Sequence, residues 1–152
     1  MPMPWAYRHA TKDFRAFLAD AQEALGTPTE NMTYTAVDGV LRTFRARLTP
    51  EEGMAFAQVL PAVLRAMFIQ DWNLATPPVP FTDRAAMTAE AQSLRRDHNL
   101  TPDHAIAAVA FALWRHVNHR DLARVLETLP DGAIDFWHPD VDDPAQLARR
   151  IT

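Results

Sequence analysis

Apolar residues recur with helical spacing along most of the chain. Phe14, Phe17, Leu18, Ala21 and Leu25 fall at i, i+3, i+4, i+7 and i+11, one stripe of an amphipathic helix. Val37, Val40, Leu41, Phe44 and Leu48 repeat that spacing, and so do Ile106, Val109, Ala110, Leu113 and Val117. No stretch alternates apolar and polar residues long enough to predict a half-buried strand. The pattern therefore predicts an all-α fold, a compact multi-helix bundle of about eight helices. Helices are expected near 11–25, 29–47, 50–59, 61–70, 83–97, 102–117, 119–128, 130–137 and 144–150.

Start signals support these boundaries. Thr49-Pro50-Glu51-Glu52 offers a capping hydroxyl, a proline with preset φ and a glutamate at the third helical position. Thr27-Pro28-Thr29-Glu30 has the same form, and Thr101-Pro102-Asp103 and Asp143-Pro144 are weaker versions. Asn118 and Thr82-Asp83 also read as caps.

The pattern also repeats. Leu60-Pro61 and Leu129-Pro130 stand 69 residues apart. The same offset carries Val37, Val40, Leu41, Phe44 and Leu48 onto Ile106, Val109, Ala110, Leu113 and Val117. It also carries Glu52 onto Asp121 and Phe68 onto Trp137. Two pseudo-symmetric helical repeats are expected within one domain spanning 1–152. Repeat one covers about 11–70, a linker 71–81, repeat two about 82–138, and a C-terminal segment 139–152. Proline breaks a helix interior, so each Leu-Pro step should bend the chain. Pro77, Pro78 and Pro80 favour an extended linker, which Trp72, Leu74 and Phe81 would pack onto the body.

Composition narrows the function classes. The chain has 152 residues, 48% hydrophobic and 22% charged, with a net charge of −4. That length suits one domain able to fold without metal or disulfide. There is no cysteine, so thiolate chemistry and cysteine-based zinc sites are excluded. The single lysine, Lys12, follows no glycine-rich loop, so a Walker A phosphate loop is excluded. The single serine, Ser93, lacks the glycines of a nucleophile elbow. The four glycines are scattered and build no dinucleotide-binding loop. No signal-peptide pattern opens the chain, and its longest apolar run, 105–114, is half a membrane span. A cytoplasmic protein is expected. Heavy use of Ala and Arg suggests a GC-rich bacterial coding sequence.

Arg47-Leu48, Glu51-Glu52, Leu60-Pro61, Arg65, Phe68 and Trp72 fall in a recognisable order. In that order the chain resembles the bacterial domain-of-unknown-function family 2267. Residues 105–137 are similar to the repeated unit of that family, and the resemblance covers roughly 10–137. It departs where the family usually carries Gly before the tryptophan, since Asp71 stands there. The resemblance implies an all-helical fold and brings no activity or functional residues.

Candidate chemistry is sparse. His116 and His119 are three apart and could share a metal, but Asn118 reads as a cap that puts a turn between them. His116 is then expected at a helix C-terminus, where a cation suits the dipole, and His98 and His104 read the same way. Asp140, Asp142 and Asp143 could hold a hard cation, but Ala145 stands where an EF-hand needs glycine. Asp143 is better read as a cap. Arginine clusters at 42–47, 95–96 and 149–150 sit in an acidic chain, so no nucleic-acid or membrane partner is expected. Neither a metal nor a cofactor is expected. Arg65, among apolar neighbours after a bend, reads as a structural clamp that needs carbonyl or carboxylate partners. Trp114 and Trp137 read as core; Trp5 and Trp72 must pack on the body or offer a partner surface.

With no catalytic signature, a non-enzymatic helical interaction module is the first expectation, with a protein partner or homodimer. Its contact surface is placed between the two halves, at Arg65, Trp72 and Phe81. Alternatives are a small-ligand sensor with a pocket there, or a His/Asp-based metal protein or enzyme.

Overall fold

A computed structural model describes residues 1–94, 100–141 and 143–149. Among them it has nine α-helices, one short 3-10 helix and no strand. The helices are α1 (Trp5–Arg8), α2 (Ala10–Leu25), α3 (Glu30–Arg45), α4 (Pro50–Ala57) and α5 (Ala62–Ile69). After the linker come α6 (Arg84–Ser93), α7 (Ala105–Trp114), α8 (His119–Thr128), α9 (Ala133–Phe136) and the 3-10 turn Pro144–Leu147. Periodicity located all but α1, a single turn with no buried residue.

Most caps form as read. Thr49 accepts from the Glu52 N–H while Glu52 accepts from the Thr49 N–H, a complete capping box. Asp83, Asn118 and Asp143 cap their helices with side-chain acceptors. Two expectations are corrected. Thr29, not Thr27, caps α3; Thr27 instead shares a 2.6 Å hydrogen bond with Thr33. The cap position of α7 is His104, without a side-chain cap bond, so Thr101-Pro102 lies outside that helix.

The packing interleaves the chain. The longest contact runs between α2 and α7, and α6 packs on α3 in the same crossed sense. The long helices α3 and α7 also touch, as do α4 and α8. One hydrophobic core therefore draws on both sides of the linker. At its centre Phe44 meets Phe56, Phe136 and Trp137 with ring centroids 4.8, 5.0 and 5.3 Å away. Such tilted and edge-on contacts suit aromatic quadrupoles.

Arginine forks satisfy the carbonyls that these short helices leave at their ends. Arg45 donates to the carbonyls of Phe68 and Gln70 at the end of α5. Burial pushes its guanidinium below the usual value and nearby Arg42 adds to that, while Asp38 and Asp71 work the other way. Arg84 donates to the carbonyls of Asp135, Phe136 and His138 around the end of α9. Arg42 and Arg47 pair with Asp38 and Glu90, whereas Arg95, Arg96 and His98 lie outside the described residues.

The linker is tied down at three points. Asp71 takes φ +56, a left-handed conformation that glycine reaches at least cost. The Trp72 ring covers Gly53, where an added Cβ would overlap the indole. The Val79 N–H donates to the Ala46 carbonyl, and Phe81 lies 2.7 Å from where a Cβ on Gly132 would stand.

Gly53→Ala should therefore displace Trp72 and cost about 1–3 kcal/mol. Gly132 has φ +102, so Gly132→Ala adds backbone strain of about 1–3 kcal/mol to its clash with Phe81. Calorimetry should show each kcal/mol as a Tm loss of about 2–4 °C. Unchanged melting of both variants would mean the linker is not packed this way.

Candidate functional site

Two breaks between helices converge on one side of the bundle. Where α4 gives way to α5, Gln58, Val59, Leu60 and Pro61 form one wall of a cleft of about 760 Å³. The facing wall is His116, Val117 and Asn118, between α7 and α8, with Asp121 in the first turn of α8. Trp5, Asp13 and Arg149 stand at its other sides. One wall precedes the linker and the other follows it.

Each wall is held by a polar fixture. Arg65 donates from Nε to the Ala57 carbonyl at 3.0 Å and from Nη2 to the Leu60 carbonyl at 3.2 Å. It is thus a clamp on the end of α4, and it fixes the cleft's first wall. On the second wall, His116 Nε2 lies 2.6 Å from Asp20 Oδ2, and Arg115 donates to Asp20 Oδ1 at 3.2 Å. Asp20 is 3% exposed and comes from α2. The edge of the Phe17 ring closes over His116, with centroids 5.8 Å apart. His116 stands just past the C-terminus of α7, where it was expected, and its ring also meets a carboxylate from a distant helix.

The other predicted site residues serve the fold elsewhere. Trp72 is half-buried over Gly53, edge-on to Phe68, with the Arg45 guanidinium 5.5 Å from its ring centroid. Phe81 is half-buried against Gly132 and 6.0 Å from Phe44. Arg65, Trp72 and Phe81 thus each pack against a different part of the chain. His119 opens α8 as expected and bonds the Trp114 carbonyl at 2.6 Å. His104 lies 3.0 Å from the Ala24 carbonyl. Asp140 lies 3.6 Å from Arg84, while Asp142 is outside the described residues. No group of three His, Asp or Glu side chains placed to hold a metal occurs among the described residues. No helix among them is long and apolar enough to cross a membrane.

Some hydrogen bonds recur at the offset seen in the sequence. Arg45 donates to the carbonyl of Phe68, and Trp114 donates to the carbonyl of Trp137 at 2.7 Å. Donors and acceptors both lie 69 residues apart. The caps Thr49 and Asn118 are separated by the same number. Arg47, paired with Glu90 on α6, is likewise 69 residues before His116, paired with Asp20 on α2.

A second, smaller cavity of about 340 Å³ lies under the C-terminal segment, among Trp114, His119, His138 and Val141. Val141 stands 69 residues after Trp72.

The fold places the molecule among all-helical bundle proteins. The family described as "Uncharacterized conserved protein (DUF2267)" matches residues 14–136, and the chain belongs to it. No curated protein matches the chain.

Removing Asp20 would leave Arg115 and His116 without their shared acceptor. Asp20→Ala is expected to cost about 3–5 kcal/mol in urea unfolding, the range for a broken buried pair. Asp20→Asn, which keeps an acceptor, should cost less. Equal small losses in both variants would remove this pair as the fixture of the wall.

Proposed function

We propose that this protein is a non-enzymatic interaction module built from two related helical units, whose contact surface is the cleft at the α4–α5 and α7–α8 junctions. Its occupant is an extended apolar peptide segment. One observation carries this reading. At the offset of 69 residues, the counterparts of the cleft walls are Leu129-Pro130 and Arg47-Leu48-Thr49. Beside that counterpart the chain's own linker is fixed at two points, with Val79 bonded to Ala46 and Phe81 seated on Gly132. One seat is covered by a Pro-Val-Pro-Phe segment, while its relative is open. The crossed packing of α2 on α7 and α6 on α3 supports the two-unit reading, because exchanging the units leaves that pattern unchanged.

Arg65 then belongs to the open site as the clamp of one wall. Phe81 belongs to the covered site, and Trp72 anchors the linker that reaches it. The buried His116–Asp20 pair favours a second reading, an acid–base enzyme with its pair in the cleft wall.

The two readings separate experimentally. A peptide of sequence Pro-Pro-Val-Pro-Phe-Thr, copied from residues 77–82, is titrated into isotope-labelled protein. Binding on the order of 100 µM is expected, in keeping with a contact far below 1,200 Å². Shifts should concentrate at Val59, His116 and Asn118, and Val59→Arg should weaken binding about tenfold. Shifts elsewhere, or no saturation at millimolar peptide, would overturn the peptide seat.

A further inference from the structure

We infer that the open cleft is filled by residues 2–5 of a second copy of this chain, so that two copies exchange their Pro-Met-Pro-Trp segments. This inference rests on reading the cleft as a seat for an extended apolar segment. It adds the identity of the occupant.

The chain itself carries a segment of the right kind. Pro2-Met3-Pro4-Trp5 and Pro78-Val79-Pro80-Phe81 share one order: proline, apolar residue, proline, aromatic. Each precedes the first long helix of its half. Proline at alternate positions keeps both segments extended, so little conformational entropy is lost on docking. The aromatic at the end supplies the anchor. Trp is also the side chain most enriched at binding hot spots.

The two segments differ in what they reach. Phe81 stands just ahead of α6, which is 10 residues long, and turns back onto Gly132. The corresponding helix α2 has 16 residues and is extended further by α1, which begins at Trp5 itself. That added helical length holds the segment at the rim of its own cleft. Met3 is 59% exposed and Trp5 is 66% exposed, with its ring against His9 at a centroid distance of 3.7 Å. Trp5 lines the cleft without filling it. A segment presented outward beside an open seat can serve a second molecule that presents the same two features. The exchange is then reciprocal and closes as a two-fold dimer. Residues 2–5 carry no charged side chain, and the charged lining of the cleft is mixed, with Asp13 and Asp121 against Arg149.

Sedimentation velocity over a wide concentration range tests this on the full chain. Wild type should pass from monomer to dimer as concentration rises. Trp5→Ala and Val59→Arg should each move that transition up by more than about tenfold, as loss of a hot-spot contact does. Trp5 is exposed, so Trp5→Ala should melt like wild type, which keeps the result free of misfolding. An equal mixture of the two variants joins an intact cleft on one chain to an intact Trp5 on the other. It should self-associate more tightly than either variant alone. A wild type that stays monomeric, or a Trp5→Ala variant that dimerises as wild type does, would overturn the inference. If the 77–82 peptide still binds in that case, the cleft reading stands and the occupant comes from another protein. If that peptide also fails to bind, both readings fall together.

Discussion

The crossed pairing of α2 on α7 and α6 on α3 is the constraint from which the rest of the structure follows. Each half lends its first helix to the long helix of the other half. The apolar stripe of α2 is therefore covered in part by α7, which lies beyond the linker, and in part by α3 and α5. Phe44, Phe56 and Phe68 from one half and Phe136 and Trp137 from the other complete one aromatic core. A dense interior of this kind leaves little freedom to slide one half against the other. The cleft inherits that rigidity, because its two walls come from different halves and are joined through the core.

The second constraint is the cost of ending helices near the core. Breaks at Leu60-Pro61 and Leu129-Pro130 leave carbonyls without intrahelical donors. Arginine answers this better than lysine, because its planar fork can serve two or three carbonyls at once. Arg45, Arg65 and Arg84 each do so. The chain's use of 14 arginines against one lysine thus has a structural outlet, whatever its genomic origin. The same breaks create the concave surface. Helix ends that turn away from one another leave a groove between them, and the arginine clamp keeps its edge in place.

Much of this architecture was legible in the sequence, for physical reasons that differ by element. Amphipathic stripes and capping residues are local, so α2 to α9 and the Thr49 capping box could be read directly. The Leu-Pro spacing suggested the two-unit reading, which rests on the 69-residue offset. Arg65 was readable as a clamp because a guanidinium among apolar neighbours must find acceptors. What escaped were contacts between distant segments. His116 and Asp20 lie 96 residues apart, and nothing local to either announces the other. The placement of the site near Arg65, Trp72 and Phe81 followed from the expectation of a concave groove between two halves. Sequence could not show that Gly53 and Gly132 leave room for those rings within the fold. Trp5 was readable only as an aromatic in need of a surface; its position beside the cleft depends on the extra length of α2.

The central claim is that the molecule has two related seats, one covered by its own linker and one open. The number of 77–82 peptides bound per chain, counted by native mass spectrometry, tests it most directly. Wild type should take one. Phe81→Ala, which removes the anchor of the covering segment, should take two while keeping its fold. A folded Phe81→Ala protein that still takes only one would contradict the account, as would a wild type that already takes two.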